Sequence, residues 1–403
     1  MSVLQEKKVL IIVTAGIAAY KTAHLVRLFI KKGAEVQVIM TPNAHHFITS
    51  LTLSTLSKKP VYTDFFEKDN GLWNSHVELA LNADYIVVAP ATSNTLSKMA
   101  SAEADNLALA TYLSAKSPVF FAPAMDLDMY KNASNQHNIS ILQKKGDIFI
   151  PPASGELASG LEGEGRMAEP EEIVAFMENY IRKSLIFFGK KILITAGPTY
   201  EAIDPVRFIG NYSSGKMGFE LAKAAEKLGA EVVLISGTTA EQLPKSSSIE
   251  RIDVVSSAQM YNAVFQHYDY TDVAIMSAAV ADYRPKNVSK TKIKKDENTF
   301  TIELVKNKDI LLTMGERKKN QFLAGFALET DSEEENALKK LEKKNLDIII
   351  LNSLKDNSAG FQFDTNKITI FDKEKNQTQF ELKSKEKVAE DILNFIHSKT
   401  QKH

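Results

Sequence analysis

The 403-residue sequence contains no cysteine. That excludes disulfides, thiolate metal sites and thiol nucleophiles together. No stretch reaches the ~18 consecutive apolar residues of a membrane-spanning helix. The sharpest apolar start, Val9–Val13 behind Lys7-Lys8, has the outline of a signal peptide. Thr14 and Gly16 interrupt it, Tyr20-Lys21 follows, and no small-residue cleavage site stands nearby, so a buried first strand in a cytoplasmic protein is expected. Neither sign of charge is in excess, with 49 Lys and Arg against 50 Asp and Glu. A bulk basic field for nucleic acid or membrane is therefore missing. What is present is an ordinary globular composition, 44% hydrophobic and 25% charged, long enough for two or three domains at roughly 150 residues each.

The chain starts twice. KKVLIIVTAG at 7–16 and KKILITAG at 190–197 are each a β-rich apolar run ending in Thr-Ala-Gly, the form of a buried parallel strand feeding a turn. A helical pattern follows each, then a strand announced by Gly-Ala-Glu-Val, KKGAEVQVIMT at 31–41 and KLGAEVVLISG at 227–237. A third pair, ADYIVVAPAT at 83–92 and TDVAIMSAAV at 271–280, keeps the parallel. Strands alternating with helices predict two α/β units with parallel sheets. Glu169-Pro170-Glu171-Glu172 reads as a helix start between them. The polar, basic stretch 286–296 reads as a loop, TFTIELV at 299–305 as an alternating strand, and 383–403 as a charged helix that frays.

Open α/β sheets bind ligands beyond the carboxyl ends of their strands. In the first half, Thr14-Ala15-Gly16-Ile17-Ala18-Ala19-Tyr20-Lys21 follows the first strand: small residues for a tight turn, then a helix whose free N–H groups face an anion. Pro90-Ala91-Thr92-Ser93-Asn94-Thr95 gathers hydroxyl and amide groups before another helix; N-capping alone also accounts for such residues. NSHVEL at 74–79, APAMDLDMY at 122–130 and SGELASG at 154–160 complete the set. From about Lys7 to Met167 the chain thereby resembles the flavin-dependent cysteine decarboxylases, specifically the phosphopantothenoylcysteine decarboxylases. The resemblance implies FMN, which oxidises the substrate's terminal cysteine so that its carboxylate leaves, and whose reduced form returns the electrons to the enethiol. It implies that Gly16, Ile17, Thr41, Ser93, Asn94 and Thr95 bind FMN. His76 matches the family's active-site histidine, a group whose titration near neutrality suits a proton shuttle.

Two positions depart from that pattern. Asp126 stands where the family has an asparagine that orients the substrate carboxylate, and facing carboxylates repel unless one is protonated or a cation intervenes. Ser159 stands where the family has a cysteine that protonates the enethiol. A thiol of pKa ~8.5 is a competent acid and a serine hydroxyl is far weaker. Either Ser159 relays a proton from water or another group, or the last reduction is impaired. Gly155, Gly160 and Gly165-Arg166-Met167 keep the family's pattern.

In the second half, Thr195-Ala196-Gly197-Pro198-Thr199 ends the first strand, and the segment from Asp204 to Gly218 (DPVRFIGNYSSGKMG) crowds donors before a helix at 219–228. This is an anion-binding arrangement without the spacing of a Walker A loop. AAVADYRP at 278–285, Lys292-Ile293-Lys294-Lys295, Asn307-Lys308-Asp309-Ile310, Gly325–Thr330, and Lys339-Lys340 with Lys343-Lys344-Asn345 follow. Over about Lys190 to Asp364 this looks like phosphopantothenate–cysteine ligase, and its position behind the decarboxylase half matches the bacterial bifunctional enzyme. The resemblance implies that CTP and Mg²⁺ turn the phosphopantothenate carboxylate into an acyl-cytidylate, which the cysteine amine then attacks. It places Met276, Ser277, Ala278, Asp282, Lys292, Asn307, Lys308, Asp309, Ile310, Phe326, Lys340 and Lys344 at the substrate and CTP site. Asp282 is the candidate magnesium ligand, an oxygen donor as that ion prefers. Asn211 matches the residue associated with acyl-cytidylate turnover, where an amide stabilises oxyanion charge. The loop at 286–296 would be a lid over the phosphates.

The expected architecture is thus two doubly wound parallel-sheet domains. They are a flavodoxin-like flavoprotein domain at 1–168 and a Rossmann-like ligase domain at 190–403, joined by a linker helix at 169–189. The resemblance further implies flavin sites completed between subunits, hence a homo-oligomer, and otherwise only small-molecule partners: 4′-phosphopantothenate, cysteine and CTP. Ser159 and Asp126 keep open an active ligase whose flavin domain serves as a binding or regulatory module. A generic dinucleotide-dependent dehydrogenase lacks its fingerprint, since neither strand start carries G-x-G-x-x-G.

Overall fold

The computed structural model describes residues 2–67, 71–156, 160, 162–244, 248–294, 300–329, 332–353 and 363–401. The chain divides into two compact units that part between Arg182 and Lys183. In the first unit β1 (Lys8–Val13), β2 (Glu35–Met40), β3 (Val61–Tyr62), β4 (Tyr85–Ala91), β5 (Val119–Pro123) and β6 (Ile148–Phe149) form one sheet in the order β3-β2-β1-β4-β5-β6. All its pairings are parallel. Helices cover both faces, so each central strand is apolar without alternation; Val9 through Val13 are all buried. A glycine-rich antiparallel hairpin, β7 (Ala153–Glu156) with β8 (Glu162–Arg166), stands outside the sheet. The helix Pro170–Lys183, expected as a linker, buries Ile173, Val174, Met177 and Ile181 in the same core as Phe29 and Phe120. Those four apolar contacts make it part of the first unit.

The second unit repeats the plan. Strands β9 (Lys191–Ala196), β10 (Glu231–Ser236), β11 (Ile249–Asp253), β12 (Val273–Met276), β13 (Phe322–Glu329) and β14 (Ile348–Ser353) run parallel in the order β11-β10-β9-β12-β13-β14. Two antiparallel strands, β15 (Ile368–Asp372) and β16 (Gln377–Gln379), extend it. Counted within its own unit, each parallel sheet has the order 3-2-1-4-5-6, which opens a crevice beyond the carboxyl ends of its first and fourth strands. These are the doubly wound parallel sheets that the repeated sequence pattern predicts.

Two local expectations change. Of the alternating stretch at 299–305 only Leu304 and Val305 are in the strand, Leu304–Lys306, which pairs with Tyr283–Pro285; Thr299 lies outside the described residues. The C-terminal helix, Lys385–Thr400, is a core element, because its charges line one side and Val388, Ala389, Ile392, Leu393 and Ile396 are buried on the other. Burying each of its larger apolar side chains contributes about 1.5–3 kcal/mol. Among the described residues no helix is long and apolar enough to cross a membrane.

Candidate functional site

The crevice of the first sheet is a cleft of about 960 Å³, in the size range of cofactor sites. Its floor is the turn after β1. Gly16 is extended there, and a Cβ on it would lie 3.3 Å from Thr92 Cγ2, so glycine lets the two turns meet. The Thr14 hydroxyl donates to Pro90 O at 2.7 Å, locking the turn after β1 to the end of β4. Helix Ser93–Ser101 opens at the cleft with Ser93, Asn94 and Thr95 on its first turn. Gly16, Ile17, Thr41, Ser93, Asn94, Thr95 and Asp126 all line this one cleft. Asp126 caps its own short helix by accepting from Leu127 N at 2.6 Å.

Sequence reasoning missed the cations. Lys21, Lys98 and Arg166 line the same cleft. Lys21 is buried and donates to Met167 O at 3.0 Å and to Glu169 at 2.9 Å. Arg166 reaches the same carboxylate at 3.0 Å, so two cations face one anion. Lys98 pairs with Asp105. The basic residue of the Gly-Arg-Met triplet was the signal available for Arg166. Nothing local marked Lys21, whose partners lie about 150 positions away.

His76 does not join the cleft-lining set. It begins helix His76–Leu81, edge-on to Phe65 at 6.0 Å, and its buried Nδ1 has no hydrogen-bond partner. Phe66, Leu72, Trp73, Val77 and Leu81 are exposed in the same stretch of chain. Ser159 lies outside the described residues.

In the second unit Ser277, Ala278, Asn211 and Asn307 make hydrogen bonds around the segments that follow β9 and β12. Ser277 Oγ donates to Thr195 O at 2.6 Å, and Ala278 N donates to Thr195 Oγ1 at 3.3 Å. Asn211 Nδ2 donates to Ala279 O at 3.0 Å, and Asn307 Nδ2 to Ala281 O at 2.8 Å. The Asn307 amide also donates to Asp282 O at 2.8 Å, leaving the Asp282 side chain exposed. Met276 and Ile310 are buried beneath this layer. Lys308 sits 5.0 Å over the Tyr261 ring. Lys340 donates to Phe326 O at 2.8 Å, and Lys344 pairs with Asp309 at 2.9 Å. Lys292 is exposed; its neighbour Ile293 is tied by its N–H to Asp204 and by its carbonyl to Arg207. Residues 295 and 296 of the expected lid lie outside the described residues.

Asp204, quoted in the sequence motif but given no role there, anchors this region. Its buried carboxylate accepts from the amides of Val206 and Arg207 at 2.8 Å each and pairs with the Arg207 guanidinium at 2.9 Å. Burial works to raise its pKa and is outweighed by these amides and Arg207, so the carboxyl stays below its ordinary value. Asp309 and Asp372 behave alike: burial is outweighed by the Leu312 amide and Lys344 in one, and by Lys399 and Asn376 in the other. A depressed folded pKa gives stability that is complete above the unfolded value of ~3.9 and lost as pH falls through the folded value. Melting curves taken from neutral pH down to about pH 3 should show the second unit losing stability below roughly pH 4. Asp204→Asn should flatten that fall, and an unchanged pH profile in that variant would remove Asp204 from the account.

A family model described as "Flavoprotein" matches residues 2–182, and one described as "DNA/pantothenate metabolism flavoprotein C-terminal domain" matches residues 187–399. The coenzyme A biosynthesis bifunctional protein CoaBC of Bacillus subtilis (strain 168) is 46% identical over 395 residues, 98% of this chain and 97% of that one. The chain belongs to the CoaBC family. A cysteine/cysteine sulfinic acid decarboxylase from an unknown prokaryotic organism is 52% identical over 354 residues, 87% of this chain and 98% of its own. Among solved structures, the C-terminal domain of a CoaBC protein shares 44% identity, covering 55% of this chain and all of that one, with a TM-score of 0.47. The CoaBC match runs through both units, so the first unit as a mere binding module is not the favoured reading.

Proposed function

We propose that this chain makes 4′-phosphopantetheine in two successive reactions, CTP-dependent ligation of 4′-phosphopantothenate to cysteine in 190–403 and FMN-dependent decarboxylation in 1–168. The observation that carries the reading is the convergence of Gly16, Ile17, Thr41, Ser93, Asn94, Thr95 and Asp126 on one cleft of cofactor size. The hydroxyls and the free N–H groups of helix Ser93–Ser101 suit the polar side of FMN. Bound there, FMN supplies a two-electron oxidation and its reversal. Asp126 lines the same cleft as Ser93, and Lys21 and Arg166, also in its lining, bring the cations that two facing carboxylates require. His76 acts in the cleft of a neighbouring copy, a reading supported by its absence from the cleft of its own chain and by its unpartnered Nδ1. The protein is then a homo-oligomer.

For ligation, an oxygen of the phosphopantothenate carboxylate attacks the α-phosphorus of CTP and pyrophosphate leaves. The cysteine amine attacks the resulting acyl-cytidylate and CMP leaves. In this reading Asn211 stabilises the oxyanion, and Lys292, Lys340 and Lys344 neutralise phosphate charge. Among the described residues no group of three or more His, Asp or Glu side chains is arranged to hold a metal ion. Magnesium carried by the nucleotide needs only one or two carboxylates and its own waters, and the exposed Asp282 fits that role.

The test supplies the FMN-loaded protein with 4′-phosphopantothenate, cysteine, CTP and Mg²⁺ and identifies products by mass spectrometry. 4′-Phosphopantetheine is the expected product, and accumulation of 4′-phosphopantothenoylcysteine alone would remove the decarboxylase half of the proposal. A second reading, direct decarboxylation of free cysteine or its sulfinic acid, is favoured only by the 52% identical relative. Supplying cysteine or cysteine sulfinic acid without 4′-phosphopantothenate and CTP tests it, because cysteamine would form from the first or hypotaurine from the second.

A further inference from the structure

Asn135 belongs to none of the sequence motifs above. It is the third residue of helix Ala133–Lys145, and its side chain is 7% exposed. Its Oδ1 accepts from Ser93 Oγ at 2.7 Å, and its Nδ2 donates to Met129 O at 2.7 Å. Ser93, on the segment proposed to carry the flavin, and Met129, in helix Leu127–Lys131 capped by Asp126, both line the first cleft. One buried carboxamide therefore ties these two parts of its wall together.

The chemistry of the three groups fixes the direction of the chain. The Met129 carbonyl can only accept, so the amide nitrogen of Asn135 must face it. The amide oxygen then faces Ser93, which must spend its single proton there. What Ser93 turns toward the cleft is a pair of acceptor lone pairs, suited to an N–H or O–H of the ligand and unsuited to a phosphate oxygen. We propose that Asn135 is a positioning residue for decarboxylation: it sets the Ser93 hydroxyl as an acceptor and holds the Asp126–Met129 wall at a fixed distance from the flavin wall.

The inference rests on the cleft being the FMN site, and the experiment separates the two. The full chain and its Asn135→Ala and Asn135→Asp variants are titrated with FMN by fluorescence and visible absorbance. Turnover of 4′-phosphopantothenoylcysteine is then measured at saturating FMN, with ligation and melting temperature as controls on folding. Asn135→Ala loses both hydrogen bonds, so FMN affinity should fall about tenfold and kcat/KM at least about tenfold, with ligation unchanged. Asn135→Asp still accepts from Ser93 but cannot donate to Met129 O. Its FMN affinity should stay within about threefold of wild type while KM for the substrate rises about tenfold. That split is what a merely structural residue would not produce. Wild-type values in both variants overturn the proposal, as do parallel losses of FMN, substrate and melting temperature. A wild-type chain that takes up no FMN overturns the cofactor reading and this inference with it.

Discussion

Gly165→Ala should slow decarboxylation about 100-fold and leave ligation intact. Gly165 lies in β8 at the edge of the first cleft, with φ +137°, where side chains are strained. Its carbonyl accepts from Met125 N at 3.0 Å, pinning the hairpin to the segment that carries Asp126. A Cβ would stand 2.5 Å from Met125 O and 3.6 Å from the Asp126 carbonyl carbon. Those are backbone atoms of the site itself, so the hairpin must lift or the Asp126 segment must retreat. A misplacement of the order of 1 Å costs about 100-fold in rate, whereas overpacking costs only ~1–3 kcal/mol of stability. The variant should therefore fold and still convert 4′-phosphopantothenate, cysteine and CTP to 4′-phosphopantothenoylcysteine, which accumulates. Formation of 4′-phosphopantetheine at the wild-type rate would show that the hairpin does not shape the reacting cleft.

Gly218→Ala should do the converse. Gly218 is the third residue of helix Lys216–Lys227, and a Cβ there would lie 2.4 Å from Ala196 Cβ and 2.8 Å from Ser277 Oγ. Helix propensity favours the change by about 1 kcal/mol, but a contact that short forces the start of the helix away from β9 and disturbs Ser277, costing ~1–3 kcal/mol. The second effect prevails. Ligation should fall about 100-fold through displaced donors, while 4′-phosphopantothenoylcysteine supplied directly is still decarboxylated. Wild-type ligation together with a raised melting temperature would mean that propensity had won and that the helix start holds no substrate.

The doubly wound sheets were legible because KKVLIIVTAG and KKILITAG carry the burial of central parallel strands on their face. The edge strands were not: Val61–Tyr62 and Ile148–Phe149 are two residues each, too short to display a period. Hairpin β7–β8 was hidden by its glycines, which offer neither β-branching nor alternation. The C-terminal helix was read as a charged one that frays because its charged residues are as many as its buried ones. In the first cleft, residues on turns after strands were readable from position, since the fold dictates where such turns point. Lys21 and Asn135 were not, because a polar residue's role there depends on a hydrogen-bond partner supplied by a distant segment. His76 shows the opposite limit, being named by its motif yet set apart from the cleft of its own chain.

The pairing of Lys344 with Asp309 bears on how the ligase empties itself. Asp309 also caps helix Ile310–Arg317, accepting from Leu312 N at 3.0 Å. With Lys344 as the phosphate-binding lysine of the proposed function, an arriving triphosphate would meet a lysine already neutralised by Asp309, and binding would be an exchange of one anion for another. Asp309 would keep its hold on the helix meanwhile. As pyrophosphate left, the same carboxylate would reclaim Lys344, so that the departing anion left no bare cation behind it. Product release would then be eased by a counter-ion that the chain carries within itself.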